Sequence, residues 1–356
     1  MIFAACKGLD ERFDDYLEAL FRIDYPDYAI IFVVESKQDP AVEVIERVRA
    51  RYSNPPSKLV IAGCCVDGGQ KVHNLLVALD YAENAEAYVY VDSDVIVGHE
   101  WLRQLIAPLQ DETIGATTGY RWFVPTGSWT SMLRSAWNAT IATAMDSGGF
   151  AWGGSMAILR KTFDRLGVAK RWLGALSDDY ALSQAVKDAG LKIKFVPACV
   201  LPSYGEISFA ELLEFTSRQI IITRVYAPKL WWMLLASTAL FNCVFWAGWP
   251  IVAVSSNFLV AVQVLVWLLG CWKGYLRVCS LPFILPKDVA TTVGKYGVWY
   301  ILLPPVVSLL YLYNLLISLK TDTISWRGIR YKLVSASKTI VEVPEARLKN
   351  YYDKKQ

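Results

Sequence analysis

The sequence predicts an α/β domain with a largely parallel sheet, followed by a C-terminal helical membrane region. Two observations carry this. Residues 1–225 alternate strand-like and helix-like segments, the pattern of strands joined by crossover helices. From Leu230 to Trp272 no charged residue occurs, a run long enough for two membrane passes of about 20 residues each.

The elements follow in order. "MIFAAC" reads as a strand and "DERFDDYLEALFRI" as a helix; then come the strand "YAIIFVVES" and the amphipathic "PAVEVIERVRARY". "KLVIAGC" precedes the helical "KVHNLLVALDYAE", and "AYVYVDSD" leads into "EWLRQLIAPL". Three strands end in polar or turn chemistry, "CKG", "VVES" and "VDSD". In open α/β sheets ligands bind outside the carboxyl ends of the strands, so Glu35, Asp92 and Asp94 are expected on one rim. Beyond Lys229, "AGWP" at Ala247–Pro250 is the expected break between two spans, and Tyr296–Leu319 is a third candidate interrupted by Pro304 and Pro305. The basic stretch between them, Lys273–Lys295, is expected along the membrane interface. Trp231, Trp232, Trp246, Trp249, Trp267 and Trp272 cluster near the proposed ends, where interfacial aromatics sit. Lys and Arg flank every candidate span, and the positive-inside rule asks for all of them on the cytoplasmic side. Three full crossings cannot satisfy that, so one candidate is expected to be re-entrant or interfacial.

Bulk composition narrows the function. The 356 residues suffice for one large domain or two modest ones. A net charge of +3 gives no footprint of a nucleic-acid partner. A hydrophobic fraction of 54% with 14 Trp points to the bilayer. The seven Cys form no C-x-x-C pattern, which favours free thiols in a reducing compartment. His73 and His99 are the only histidines; they exclude a His-rich zinc site and read as structural. The opening "MIFAACKG" lacks the basic and apolar regions of a signal peptide, so the chain is expected to open within its fold.

Four stretches carry candidate chemistry. Asp92-Ser93-Asp94 ends an apolar strand; two carboxylates there suit a hard divalent cation completed by substrate phosphates, or are simply solvated acids in a turn. In "LSDDYALSQAVKDAG", Asp178 and Asp179 precede an amphipathic helix. One Asp suffices for capping; the second could take a proton from an acceptor hydroxyl, and Asp179 is preferred for that role. In "FAWGGSMAILRK" small residues permit close backbone approach before a strand, as a pocket wall or as a tight turn. Arg218 and Arg224 either bind an anionic ligand or anchor the chain at a membrane surface.

With these motifs in view, the chain resembles inverting, family 2-like glycosyltransferases of the nucleotide-diphospho-sugar fold (GT-A, Rossmann-like), and within them the ceramide glucosyltransferases of family 21. "CKGLDERFDDYLEALFRIDYPDY" is similar to that family's opening. "VVESKQDP" stands at its first acidic position, with Glu35 for Asp; "GGQKVHNL" resembles its Lys-Asn element through Lys71 and Asn74. "VDSD" matches the second acidic motif through Asp92, and "SDDYALSQAVKDAG" the third through Asp179. "DTISWRGIRYKL" matches a characteristic C-terminal stretch. One departure is clear. The family's R/Q-x-x-R-W signature becomes "FTSRQIIITRVY", with Arg218 at the first position, Ile221 and Ile222 where Arg and Trp are expected, and Arg224 nearby.

The resemblance implies a GT-A domain at 1–225, transmembrane or interfacial helices at 226–319 and a basic tail at 320–356. It implies transfer of a hexose, glucose first, from a UDP-sugar to a lipid hydroxyl, with ceramide or a similar lipid as acceptor and the catalytic domain facing the cytoplasm. Glu35, Lys71, Asp92, Asp94, Arg218 and Arg224 would bind the donor. Asp94 and Asp92 would hold Mg2+ or Mn2+, and Asp179, with Asp178, would act in catalysis. The alternatives are a processive polysaccharide synthase and a catalytically decayed protein that binds sugar nucleotide or lipid.

Overall fold

A computed structural model describes residues 1–82, 84–252 and 257–342. The chain divides into two compact units. The first comprises Met1–Trp122, Ala144–Gly205 and the C-terminal segment from Thr323; the second comprises Phe123–Thr143 and Glu206–Asp322.

The strands are β1 (Ile2–Ala5), β2 (Ile30–Val34), β3 (Ser57–Ile61), β4 (Ala87–Asp92), β5 (Ile114–Phe123), β6 (Ser155–Leu159), β7 (Lys192–Ser203), β8 (Thr323–Trp326), β9 (Ile329–Ser335) and β10 (Lys338–Glu342). A seven-stranded sheet has the order β3-β2-β1-β4-β6-β5-β7. Its β1, β2, β3 and β4 pair in parallel, whereas β6 runs antiparallel to both β4 and β5. The sheet is therefore mixed, not uniformly parallel. A buried strand has the same composition in either direction, so its direction does not show in the sequence.

Helices cover the sheet through regular apolar spacing. In Phe13–Phe21 the buried residues are Phe13, Tyr16, Leu17, Leu20 and Phe21, one stripe of a 3.6-residue period. Under the sheet an aromatic chain fills the core: Phe3 stacks on Tyr90, and Tyr90 meets Trp172 edge-on at a centroid distance of 5.4 Å. The stretch expected as a basic tail holds the three strands of a second sheet, ordered β10-β9-β8, within the first unit.

The second unit is helical. Trp129–Ala142 and Phe209–Tyr226 are followed by Pro228–Val252 and Asn257–Ile284, then by Lys287–Gly294, Gly297–Leu302 and Pro304–Lys320. Ser208 and Glu211 form a reciprocal capping box at the start of Phe209–Tyr226. Among the described residues two helical stretches are long and apolar enough to cross a membrane, Pro228–Pro250 and Phe258–Ile284. Trp232, Met233 and Leu240 on the first and Phe258 on the second are exposed. The first of these stretches ends at Pro250, where the sequence places the break, and its helix runs two residues further, to Val252. Lys273 and Arg277, expected along an interface, lie inside the helix Asn257–Ile284. Pro304 and Pro305 interrupt the third candidate: one helix ends at Leu302 and they start the next, Pro304–Lys320, as proline does in a first turn. Trp231 donates to Ser318 at 2.9 Å and Thr216 to Asn314 at 3.1 Å, so the polar groups of these packed helices serve one another.

Candidate active site

Four buried residues, Tyr88 to Val91, carry β4 to its last residue, Asp92. There the helix Gln70–Leu79 delivers Lys71, whose Nζ donates to Asp92 at 2.7 Å and to the Gly153 carbonyl at 3.3 Å. The same ammonium lies 3.3 Å from Asp178. Burial raises the pKa of Asp92, but Lys71 and Arg121, with Arg327, outweigh burial and hold the carboxyl below its ordinary value. For Lys71 burial favours the neutral amine, and Asp178, Asp92 and Asp179 together overcome it, keeping the side chain charged.

Asp94 sits two residues on. One of its oxygens accepts from Arg121 Nη1 at 2.7 Å. The Arg121 guanidinium lies 4.8 Å above the Trp152 ring, which fixes its plane. The other oxygen, Oδ1, is buried and has no hydrogen-bond partner among the described residues. Burial drives this carboxyl's pKa up; Arg121 opposes, while Asp92 and Asp10 reinforce the rise. An orphaned carboxylate oxygen beside a second carboxylate fits a divalent cation. Among the described residues no group of three or more His, Cys, Asp or Glu could hold a metal by itself.

Asp178 and Asp179 open the helix Asp178–Asp188, capped by Ser177. They divide the work. Asp178 is buried, and desolvation, opposed by Lys71 and helped by Asp179 and Asp92, pushes its pKa up to about 6. Asp179 is half-buried. Its Oδ2 accepts from the Gly153 N–H at 3.1 Å, and its Oδ1 accepts from the Ser177 hydroxyl and from the Tyr180 N–H at 2.7 Å. The "WGGS" stretch is the seam between these acids. A Cβ on Gly153 would collide with Asp178 and lie 3.0 Å from Lys71 Nζ; one on Gly154 would lie 2.7 Å from Asp92 Oδ2. Glycine is what lets both acids approach this backbone.

Glu35 follows β2 on the same rim. It pairs with Lys7 and accepts from the Cys64 thiol at 3.1 Å. Of the residues singled out from sequence, Glu35, Lys71, Asp92, Asp94, Asp178 and Asp179 all belong to the first unit. Arg218 and Arg224 belong to the second. There Arg218 lies over the Phe215 ring and Arg224 donates to the Thr321 carbonyl at 3.1 Å. Ile221 and Ile222 are buried in that unit. His73 and His99 each contact a backbone carbonyl, of Ala62 and Arg22. Sequence reading missed Arg121 and Lys7. Arg121 had a signal: a lone charge in the otherwise uncharged strand "IGATTGYRWF", where a buried cation needs an acidic partner.

Comparison with known proteins adds to this geometry. Residues 2–339 match the family described as glycosyl transferase family 21. Among solved structures, a mannosyltransferase from Pyrobaculum calidifontis, in complex with GDP-Man and Mn2+, superposes with a TM-score of 0.52 at 14% identity, covering 88% of this chain and 86% of that one. The glucosyl-3-phosphoglycerate synthase of Mycobacterium tuberculosis, in complex with Mn2+ and UDP-glucose, gives a TM-score of 0.44 at 14% identity, over 64% of this chain and 78% of that one. The first likeness shows the GT-A-like mixed α/β fold.

Proposed function

The chain belongs to glycosyl transferase family 21, and from that premise we propose that it transfers a hexose, glucose first, from a UDP-sugar to the hydroxyl of a membrane lipid, ceramide or a close analogue, with inversion. The observation that carries this reading is the unpartnered Oδ1 of Asp94 beside Asp92, on the rim that also gathers Lys71, Asp178 and Asp179.

The donor diphosphate would lie over that rim. When bound, Mg2+ or Mn2+ would be held by Asp94 and Asp92 and would supply Lewis-acid neutralisation of the leaving diphosphate. Lys71 and Arg121 are fixed cations where negative charge develops, and because the protein already holds them they need no reorganisation. Glu35 and Lys7 border the same rim on the nucleoside side. Asp179 takes the proton of the lipid hydroxyl. The lipid oxygen then bonds to the anomeric carbon from the face opposite the diphosphate, the carbon–oxygen bond to phosphate breaks, and UDP departs. This single displacement needs one base and a stabilised leaving group. Asp178, buried against Lys71, holds that cation in place.

The second unit explains the acceptor. A lipid hydroxyl lies at headgroup level, and two long apolar helices hold the chain at a bilayer. Two crossings return the chain to the side it left, which agrees with Lys/Arg-rich flanks on one side, the cytoplasmic one. Arg218 and Arg224 serve this interface.

The test is mass spectrometry of lipids after the detergent-purified protein meets a panel of UDP-sugars, Mg2+ or Mn2+ and a mixed lipid extract. A new hexosyl-lipid that disappears with a chelator is the expected result. A lipid-free polymer, or donor binding without any turnover, would overturn the reading.

A further inference from the structure

The turn between β8 and β9 consists of Arg327 and Gly328, with φ of 52° and 76°. Positive φ at both central residues is the type I′ pattern, which favours Asn-Gly or Gly-Gly. Arginine there carries backbone strain of about 1 kcal/mol or more, so the turn alone does not explain it. Its side chain does have a partner: Arg327 Nη2 donates to Asp10 Oδ1 at 2.6 Å. The other oxygen of Asp10 accepts from the hydroxyl of Ser93 at 2.7 Å. Ser93 is buried, between Asp92 and Asp94.

The same small sheet reaches the other two loops of the site. Tyr331 on β9 accepts from the Gln70 N–H, the residue before Lys71, at 3.3 Å. The Thr339 carbonyl on β10 accepts from the Gly68 N–H at 3.1 Å. Between β9 and β10, the Ser337 carbonyl lies 2.6 Å from where a Cβ on Gly174 would stand, four residues before Asp178.

We propose that Arg327 is a positioning residue for the donor site: through Asp10 it holds the Asp92-Ser93-Asp94 turn, and its sheet braces the loops that present Lys71 and Asp178. The "ISWR" stretch thereby gains a task. The inference rests on the donor reading above. Charge supports it as well: burial favours losing the Arg327 proton, but Asp10, Asp94 and Asp92 more than offset that and keep it cationic.

The test is titration calorimetry of Mn2+·UDP against the full chain in detergent. The variants are Arg327→Gly, Arg327→Lys and Asp10→Asn, with Arg330→Ala as control. Arg330 lies on β9, exposed, and pairs with Glu342 of β10 at 3.2 Å, within the same small sheet. Arg327→Gly removes the guanidinium and relieves the left-handed backbone together, so its thermal transition should match or exceed the parent's. Loss of one charged hydrogen bond should weaken Mn2+·UDP binding by about tenfold to a hundredfold in Arg327→Gly and Asp10→Asn. Arg327→Lys should recover part of it, and Arg330→Ala should leave it unchanged. Binding by Arg327→Gly within about twofold of the parent overturns this inference alone, as does an equal loss in Arg330→Ala. A parent that binds no Mn2+·UDP overturns the donor reading and this inference with it.

Discussion

Arg121 donates to one oxygen of Asp94 at 2.7 Å, and the second oxygen of that carboxylate stays buried with no hydrogen-bond partner among the described residues. A buried carboxylate oxygen left in this state is costly, and ligand binding removes the cost. With only two carboxylates at hand, a cation should bind weakly to the free protein and far more tightly once a diphosphate adds its oxygens. Titrating Mn2+ by electron paramagnetic resonance, with and without UDP, checks this. Asp94→Asn should weaken the nucleotide-dependent binding by at least about tenfold. Tight Mn2+ binding that needs no nucleotide and survives Asp94→Asn would remove this site from consideration.

The two neighbouring aspartates should fail in different ways. Asp179 is half-buried and linked to the Gly153 N–H, so Asp179→Asn keeps the shape but loses the base. Turnover should fall by about 10² to 10⁴, with the Kd for UDP near the parent's. Asp178→Asn removes a charge from beside Lys71, 3.3 Å away, and should weaken donor binding as well. Single-turnover rates and UDP titration on both variants separate these outcomes. Parent-like turnover in Asp179→Asn would end its assignment as base.

Stability should carry a pH signature from Asp178. Its folded pKa of about 6 stands above the unfolded value of 3.8. Across that window the native state binds more protons than the unfolded one, so this group's contribution to stability is present at low pH and declines as pH rises towards 6. Asp178→Asn escapes the decline. Thermal melts at several pH values should show the variant gaining on the parent between about pH 4 and pH 7. A difference that stays flat over that range would contradict the burial assigned here.

These contacts were unevenly legible in the sequence. The end of β4 could be read because four buried residues run directly into Asp92, and charge at the end of a buried strand demands a partner. Which partner it takes could not be read: Lys71 arrives from a helix 21 residues earlier in the chain and meets Asp92 only because β1 lies between β2 and β4. The antiparallel β6 stayed hidden for want of any sequence mark of direction. The strands β8, β9 and β10 read as a basic tail by composition, because exposed Lys and Arg alternate with Ile329, Tyr331 and Leu333, which are buried. That alternation is itself the period of a half-buried strand. The end of the first span could be read at Pro250, because proline clashes with the turn before it, and the helix runs only two residues beyond it, to Val252.

The glycine pair offers the sharpest steric test. Gly153 and Gly154 pass so close to Asp178, Lys71 and Asp92 that a single methyl group has no room. Gly153→Ala must push Asp178 away from Lys71, and Gly154→Ala must displace Asp92 or the Trp152 ring. Overpacking of this kind costs about 1–3 kcal/mol. The cost here falls on charged contacts that hold the site together, so donor binding should suffer more than global stability. Gly153→Ala should therefore show a modest drop in melting temperature and a loss of UDP binding of about tenfold or more. Gly149→Ala is a suitable comparison: it lies in the same loop at φ 55°, where the nearest atom to an added Cβ is the flexible end of Lys187 at 3.7 Å. Backbone strain there should lower stability without touching the donor. If both variants lose stability alike and neither loses UDP, the close approach at Gly153 has no bearing on the site.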